Sequence, residues 1–270
     1  MTADGRDSRV ALVTGAARGI GAATVLALAS EGWSVLAVDI AADDRALPYP
    51  LASPADLAEL AEQASAAGAG AVATCQADVR DRGALGAAVA EAEERWGGLD
   101  AAIAAAGVIA GGVPAWELPP EPEQAVLDID LGGVLALARV AIPALLRRPE
   151  PRSGRFLAVA SAAATRGLPN LAAYCAAKAG VAGLIRALGA ELGGTGVTAN
   201  AVSPGSTATA MLDESARLYG LPDAAVFGAQ QPAGRLLEPA EIAAVLAFLA
   251  SPASSAMTGA VIPVDGGLAL

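Results

Sequence analysis

Short apolar runs alternate with longer segments of helical spacing along almost the whole chain. Val10-Ala11-Leu12-Val13 is apolar throughout and ends in Thr14-Gly15, which predicts a buried strand entering a tight turn. The next segment, 19–31, has helical spacing and is followed by Gly32 as a stop signal. Further strands are predicted over 33–38, 71–75, 101–105, 155–160, 197–202 and 260–264. Helices are predicted over 54–67, 82–96, 123–146, 171–192 and 239–249. The strand runs are apolar rather than alternating, the pattern of parallel strands covered on both faces. Such repetition predicts a single doubly wound α/β domain over residues 1–270, with about seven parallel strands and helices on both faces. Three connections stand out: 40–53 is long, 114–122 is proline-rich, and 212–232 has no clear apolar pattern. Long loops at the carboxyl ends of parallel strands shape ligand sites.

Composition narrows the chemistry. Hydrophobic residues make up 54% of the 270 residues but aromatics only 3%, so Ala, Val and Leu must build the core. The net charge of −11 repels phosphate backbones and anionic lipid, which argues against nucleic-acid and membrane-surface roles. Cys75 and Cys175 are too few for a disulfide framework, and the polar N-terminal residues carry no apolar signal-peptide core; both point to a cytoplasmic protein. The apolar stretch 101–113 is too short to span a bilayer. Histidine is absent, which removes Ser-His-Asp hydrolysis, Cys-His proteolysis and imidazole metal sites, and no metal is expected.

The turn after the first strand reads Thr14-Gly15-Ala16-Ala17-Arg18-Gly19-Ile20-Gly21. Gly15 allows the tight turn, Gly19 a close backbone approach to a pyrophosphate, and Gly21 close helix packing; the helix N-terminus supplies N–H groups. Inside a βαβ unit this is a dinucleotide (Rossmann) signature. Asp39 closes the second strand, 18 residues after Gly21, where a carboxylate accepts ribose hydroxyls and repels a 2′-phosphate. That favours NAD over NADP, while Arg18, a guanidinium able to pair with a 2′-phosphate, points the other way. Asp78-Val79 follows the third strand, where a carboxylate could face an adenine amino group or simply sit in a turn.

Tyr174 and Lys178 lie four apart in a predicted helix and share one face. A nearby ammonium favours the phenolate and brings a phenol toward the working pH range. Lys178 is the only lysine; the other sixteen basic residues are all Arg, so this position calls for a compact ammonium. Ser161, after the strand that precedes this helix, has a hydroxyl able to hydrogen-bond the substrate oxygen.

Jointly these elements resemble the short-chain dehydrogenase/reductase family over essentially the whole length. The glycine turn, Asp78-Val79, Ser161 and Tyr174-x-x-x-Lys178 with its 13-residue Ser-to-Tyr spacing carry the resemblance. So do Asn200 through Pro204-Gly205, Thr207, Thr209 and Asp265-Gly266-Gly267. The resemblance implies Tyr174 as general acid/base, Lys178 as a ligand of the nicotinamide ribose and Ser161 as the residue orienting substrate. It implies further NAD contacts from Ile20, Ile40, Ala105, Gly107, Pro204, Thr207 and Thr209. Two departures matter: Ala104-Ala105-Ala106-Gly107 replaces the family's Asn-Asn-Ala-Gly, and Asp130 stands where a catalytic asparagine is usual. That asparagine holds a water in a proton relay leading to the lysine. An aspartate accepts from such a water but has no N–H to give, and its charge attracts Lys178; Asp130 is read as keeping the relay role.

Val38-Asp39-Ile40, the segment Pro48-Tyr49-Pro50-Leu51-Ala52-Ser53-Pro54, Asp56-Leu57-Ala58-Glu59 and Gly107-Val108-Ile109-Ala110-Gly111-Gly112 resemble the mycofactocin-associated, carveol-dehydrogenase-like branch. That resemblance implies a tightly embedded NAD and mycofactocin as electron acceptor. The leading expectation is oxidation of a secondary, apolar or cyclic alcohol, or reduction of the matching ketone, under an apolar lid at 211–235. An NADPH-dependent ketoacyl-type carbonyl reductase and a non-catalytic NAD-binding protein are the other readings. The family resemblance also implies a homo-oligomer, commonly a tetramer paired through its long fifth and sixth helices.

Overall fold

The computed structural model describes residues 8–67 and 70–270. The N-terminal segment read above as lacking a signal peptide lies outside the described residues up to residue 7.

Seven parallel strands form one sheet in the order β3-β2-β1-β4-β5-β6-β7. They are β1 (Val10–Thr14), β2 (Ser34–Asp39), β3 (Val72–Gln76), β4 (Ala101–Ala104), β5 (Gly154–Val159), β6 (Val197–Pro204) and β7 (Val261–Val264). All residues of β1, β2, β4 and β5 are buried, as their largely apolar runs require, with Ser34, Asp39 and Arg155 among the buried polar exceptions. β3 and β7 depart from that pattern: they are the sheet edges, and residues such as Thr74, Gln76 and Pro263 face solvent. The expected doubly wound fold of seven strands is therefore the observed one.

The helices are α1 (Gly19–Ser30), α2 (Pro54–Ala67), α3 (Arg82–Trp96), α4 (Pro120–Leu127), α5 (Gly133–Arg147), α6 (Ala172–Glu191), α7 (Ala210–Leu218) and α8 (Pro239–Ala250). Two apolar clusters cover the sheet. One joins it to α3, α4, α5 and α6, and the other to α1, α2 and α8. Small alanine side chains let helices lie close to the sheet, which is how a core with so few aromatics closes.

The single helix expected over 123–146 is three pieces. α4 begins earlier, at Pro120, because proline suits the first helical turn. A π-helical turn, Asp128–Gly132, then separates α4 from α5. By length and composition the run Pro120–Arg147 could cross a bilayer, but more than half of its apolar stretch is buried, packed on α3, α6, β4 and β5. The segment 212–232 is also more ordered than its pattern suggests. Thr209 caps α7 by accepting the Leu212 N–H, and a 3-10 turn spans Ala224–Gln230. Ala216, Ala224 and Phe227 form a small separate cluster while Met211 and Leu218 of α7 pack on the main core; the helix is amphipathic, but its nine residues are too short a run to stand out in the sequence.

Strand order reverses between β1 and β4, whose neighbours lead away in opposite directions. Ligand clefts of doubly wound sheets open at the carboxyl ends of the strands at that point.

Candidate active site

A cleft of about 630 Å³ opens there. One end is built by the β1–α1 turn. Gly15 has φ +65°, and a β carbon on it would fall 2.5 Å from the Ala106 backbone. A β carbon on Gly21 would fall 1.9 Å from the Gly15 carbonyl oxygen, so helix and turn meet without room for a side chain. Arg18 precedes α1 in extended backbone and gives its first turn no side-chain cap. The uncapped N–H groups and the dipole face the cleft, the arrangement that receives a pyrophosphate.

Asp39, 7% exposed, ends β2 at the cleft wall. Its carboxylate accepts the Ala17 and Ala41 N–H groups, each at 3.0 Å, which fixes it against the glycine turn. Arg18 turns instead to the 40–53 insertion, donating to the Pro50 carbonyl at 3.2 Å. Asp78 lines the cleft but is engaged by Arg80, whose Nη2 lies 2.6 Å from its carboxylate and 2.7 Å from Asp44. Burial opposes ionisation of Asp78, yet the Arg80 hydrogen bonds outweigh it and hold the carboxyl below its usual range.

At the other end, Ser161 follows β5 and accepts the Ala163 N–H at 3.1 Å, capping a 3-10 turn. Tyr174 sits in the first turn of α6 and Lys178 one turn later, with Nζ 5.6 Å from the Tyr174 ring centroid. Nζ donates to the Val159 carbonyl at 3.1 Å and meets Asp130 Oδ2 at 3.1 Å. Asp130 Oδ1 accepts the Val108 N–H at 2.7 Å. Burial raises the Tyr174 phenol above its ordinary range; Lys178 and a hydrogen bond with Ser161 pull against it, and Asp130 adds to it. Burial would lower Lys178, but Asp130 and Tyr174 reverse that and keep it an ammonium.

The cleft thus brings together Gly15, Arg18, Gly19, Ile20, Gly21, Asp39, Ile40, Asp78, Val79, Ala105, Gly107, Ser161, Tyr174, Lys178, Pro204, Thr207 and Thr209. Asp130 is the exception. It does not line the cleft but lies fully buried behind Lys178. Ala105 and Ala106, where the family has asparagine and alanine, form the floor beneath Gly15.

The sequence singles out the long 40–53 connection and the 211–235 lid, but not each residue that lines the wall. The insertion folds over the cleft through Leu51 and Ala52, and its Tyr49 hydroxyl accepts the Ile109 N–H at 2.9 Å. Both segments carry the branch resemblance, but no local pattern tells that they touch. Ser215 and Gln230 come from the lid segment, and Arg166 and Leu268 close the substrate end, joined by a guanidinium-to-carbonyl hydrogen bond. Met211, Leu212, Tyr219, Leu221 and Phe227 make that end apolar.

The family profile described as enoyl-(acyl carrier protein) reductase matches residues 15–269. The chain belongs to the short-chain dehydrogenase/reductase family. It is 37% identical to cis-4-hydroxycyclohexanecarboxylate dehydrogenase of Sinomonas cyclohexanicum, over 96% of each chain. It is 34% identical to (−)-trans-carveol dehydrogenase of Rhodococcus erythropolis, over 98% of each. The crystal structure of carveol dehydrogenase from Mycobacterium avium in complex with NAD superposes with a TM-score of 0.91 at 34% identity, covering 98% of this chain and 99% of that one.

Proposed function

We propose that this protein is an NAD-dependent dehydrogenase of secondary alcohols of apolar or cyclic type, able to run in reverse as a ketone reductase. The observation that carries the reading is the shared cleft: Asp39 and the glycine turn at one end, Ser161, Tyr174 and Lys178 at the other, under an apolar roof. The two curated relatives above are named for hydroxyl groups on six-membered rings.

The chain's residues fit NAD. The side-chain-free contact of Gly15 and Gly21 makes the cradle, and the α1 N-terminus suits the pyrophosphate. The anchored Asp39 carboxylate suits the two ribose hydroxyls and opposes a 2′-phosphate. Of the lining residues, Ile20, Ile40, Val79, Ala105 and Gly107 would flank the adenosine and ribose of NAD, and Pro204, Thr207 and Thr209 its nicotinamide end. When bound, NAD supplies the hydride acceptor or donor. Ser161 holds the substrate oxygen, Tyr174 takes its proton in oxidation and returns one in reduction, and Lys178 steadies the phenolate. The segment 211–235 serves as the lid, and exclusion of water there strengthens every charge interaction inside.

The insertion supports a tightly held NAD, and the branch resemblance supports its reoxidation by mycofactocin rather than exchange. It is tied to the cleft at Tyr49–Ile109, Arg18–Pro50 and Asp44–Arg80. We place the enzyme in the cytoplasm as a single-domain subunit of a homotetramer. Denaturing the purified protein and identifying released nucleotide by mass tests the cofactor reading. Near-stoichiometric NAD supports it, an empty protein removes the tight-binding part, and NADP overturns the role given to Asp39.

A further inference from the structure

The Lys178 ammonium has three N–H groups and is held from inside the protein by two partners. One N–H goes to the Val159 carbonyl, and the ammonium forms an ion pair with Asp130 Oδ2, both at 3.1 Å. The pair is closed off from water, with the Asp130 side chain 0% and that of Lys178 4% exposed. The π-helical turn Asp128–Gly132 carries the carboxylate to this place, and the Val108 N–H pins its other oxygen. Gly107 of the cleft wall packs directly on the pair. A β carbon on Gly107 would meet Asp130 Oδ2 at 3.2 Å and Lys178 Nζ at 3.4 Å.

We infer that Asp130 is a positioning residue that competes with Tyr174 for the Lys178 ammonium and thereby sets the pH at which the site changes from ketone reduction to alcohol oxidation. The inference rests on Tyr174 being the acid/base. An isolated ammonium stabilises a neighbouring phenolate, whereas an ammonium in contact with a carboxylate presents a nearly neutral pair. Ketone reduction consumes the proton of the Tyr174 hydroxyl, and alcohol oxidation needs the phenolate to take one up. With Asp130 present, the phenol keeps its proton to higher pH, and the site at neutral pH is equipped to give a proton.

The charged and titratable groups around the phenol are few. α6 contributes Lys178 and Cys175, the π-helical turn contributes Asp130, and Ser161 hydrogen-bonds from the end of β5. Asp130 is faced by Lys178 from α6 and, more remotely, by Tyr49 from the insertion. Burial, then Asp130, act upward on the phenol against Lys178 and Ser161, in line with the geometry.

Ultraviolet difference titration of the NAD-loaded enzyme reads this directly. Wild type, Asp130→Asn and Asp130→Ser are each compared with the same background carrying Tyr174→Phe, so that only the Tyr174 signal remains. Removing the carboxylate is expected to bring the phenolate in about one unit lower in pH. The acid limb of the alcohol-oxidation profile should move the same way. The serine variant, with a smaller neutral side chain, carries the test if the asparagine variant does not fold. A Tyr174 titration that stays in place or moves upward in a folded variant overturns the inference. Because the titration needs no substrate, that result is independent of whether Tyr174→Phe abolishes turnover, which alone decides the acid/base reading.

Discussion

The Tyr49 hydroxyl accepts the backbone N–H of Ile109 at 2.9 Å, joining the insertion after β2 to the loop after β4 across 60 residues of sequence. Burial raises this phenol above its ordinary range, so it stays a neutral hydroxyl at any working pH. Ile109 lines the cleft, so this bond ties the insertion to the cleft wall.

Tyr49→Phe removes that bridge and leaves the ring in place. A hydrogen bond of this kind contributes about 0.5–1.5 kcal/mol, so NADH should leave up to about tenfold faster. Stopped-flow fluorescence of NADH release measures it. An unchanged release rate would show that the insertion does not restrain the nucleotide.

Asp39→Ala should relax the choice of nucleotide. The variant loses the acceptor for ribose hydroxyls and the charge that opposes a 2′-phosphate, and it strands the Ala17 and Ala41 N–H groups. Hydrogen bonds to charged groups contribute about 1.5–3 kcal/mol, which translates to a ten- to hundredfold fall in the ratio of kcat/KM for NAD over NADP. Steady-state kinetics with both nucleotides gives the ratio, and a preserved ratio would place the discrimination elsewhere.

Alkaline pH should destabilise the fold. Tyr49, Tyr174 and Lys178 all hold their protons more tightly folded than unfolded. A raised folded pKa contributes stability that is present below the unfolded value, about 10 for Tyr and Lys, and is lost as pH rises through the folded one. Urea denaturation between about pH 8 and 11 should show stability falling across the upper part of that range. The fall should be shallower in Tyr49→Phe; equal slopes would remove Tyr49 from the account.

Gly21→Ala should fail at the cradle. Its β carbon would lie 1.9 Å from the Gly15 carbonyl oxygen, so turn or helix must move. Overpacking of this kind costs about 1–3 kcal/mol or more. Thermal melting and NAD titration should both weaken, and normal NAD affinity would contradict the placement of the pyrophosphate.

Much of this was legible in the chain because the relevant signals are local. Apolar runs such as Val10–Thr14 report burial on both sheet faces, and the glycine turn and the Tyr174/Lys178 spacing each fall within one element. What stayed hidden depends on distant contact. The edge exposure of β3 follows from its place in the sheet, and the helix α7, only nine residues long, is capped by Thr209 and divides its apolar face between the main core and a small satellite cluster. The π-helical turn leaves no periodic mark, since helical spacing on either side of Asp128–Gly132 reads as continuous. The charge of Asp130 was plain in the sequence, but its seat against Lys178, away from the cleft surface, required the packing of α6 on that turn.

The most direct test of the whole account is single-turnover hydride transfer with a cyclic secondary alcohol, followed by NADH absorbance, in wild type and Tyr174→Phe. The account predicts that the variant binds NAD normally and loses transfer by at least about a hundredfold, the contribution of a positioned acid/base. Undiminished transfer in a variant that binds NAD would contradict it.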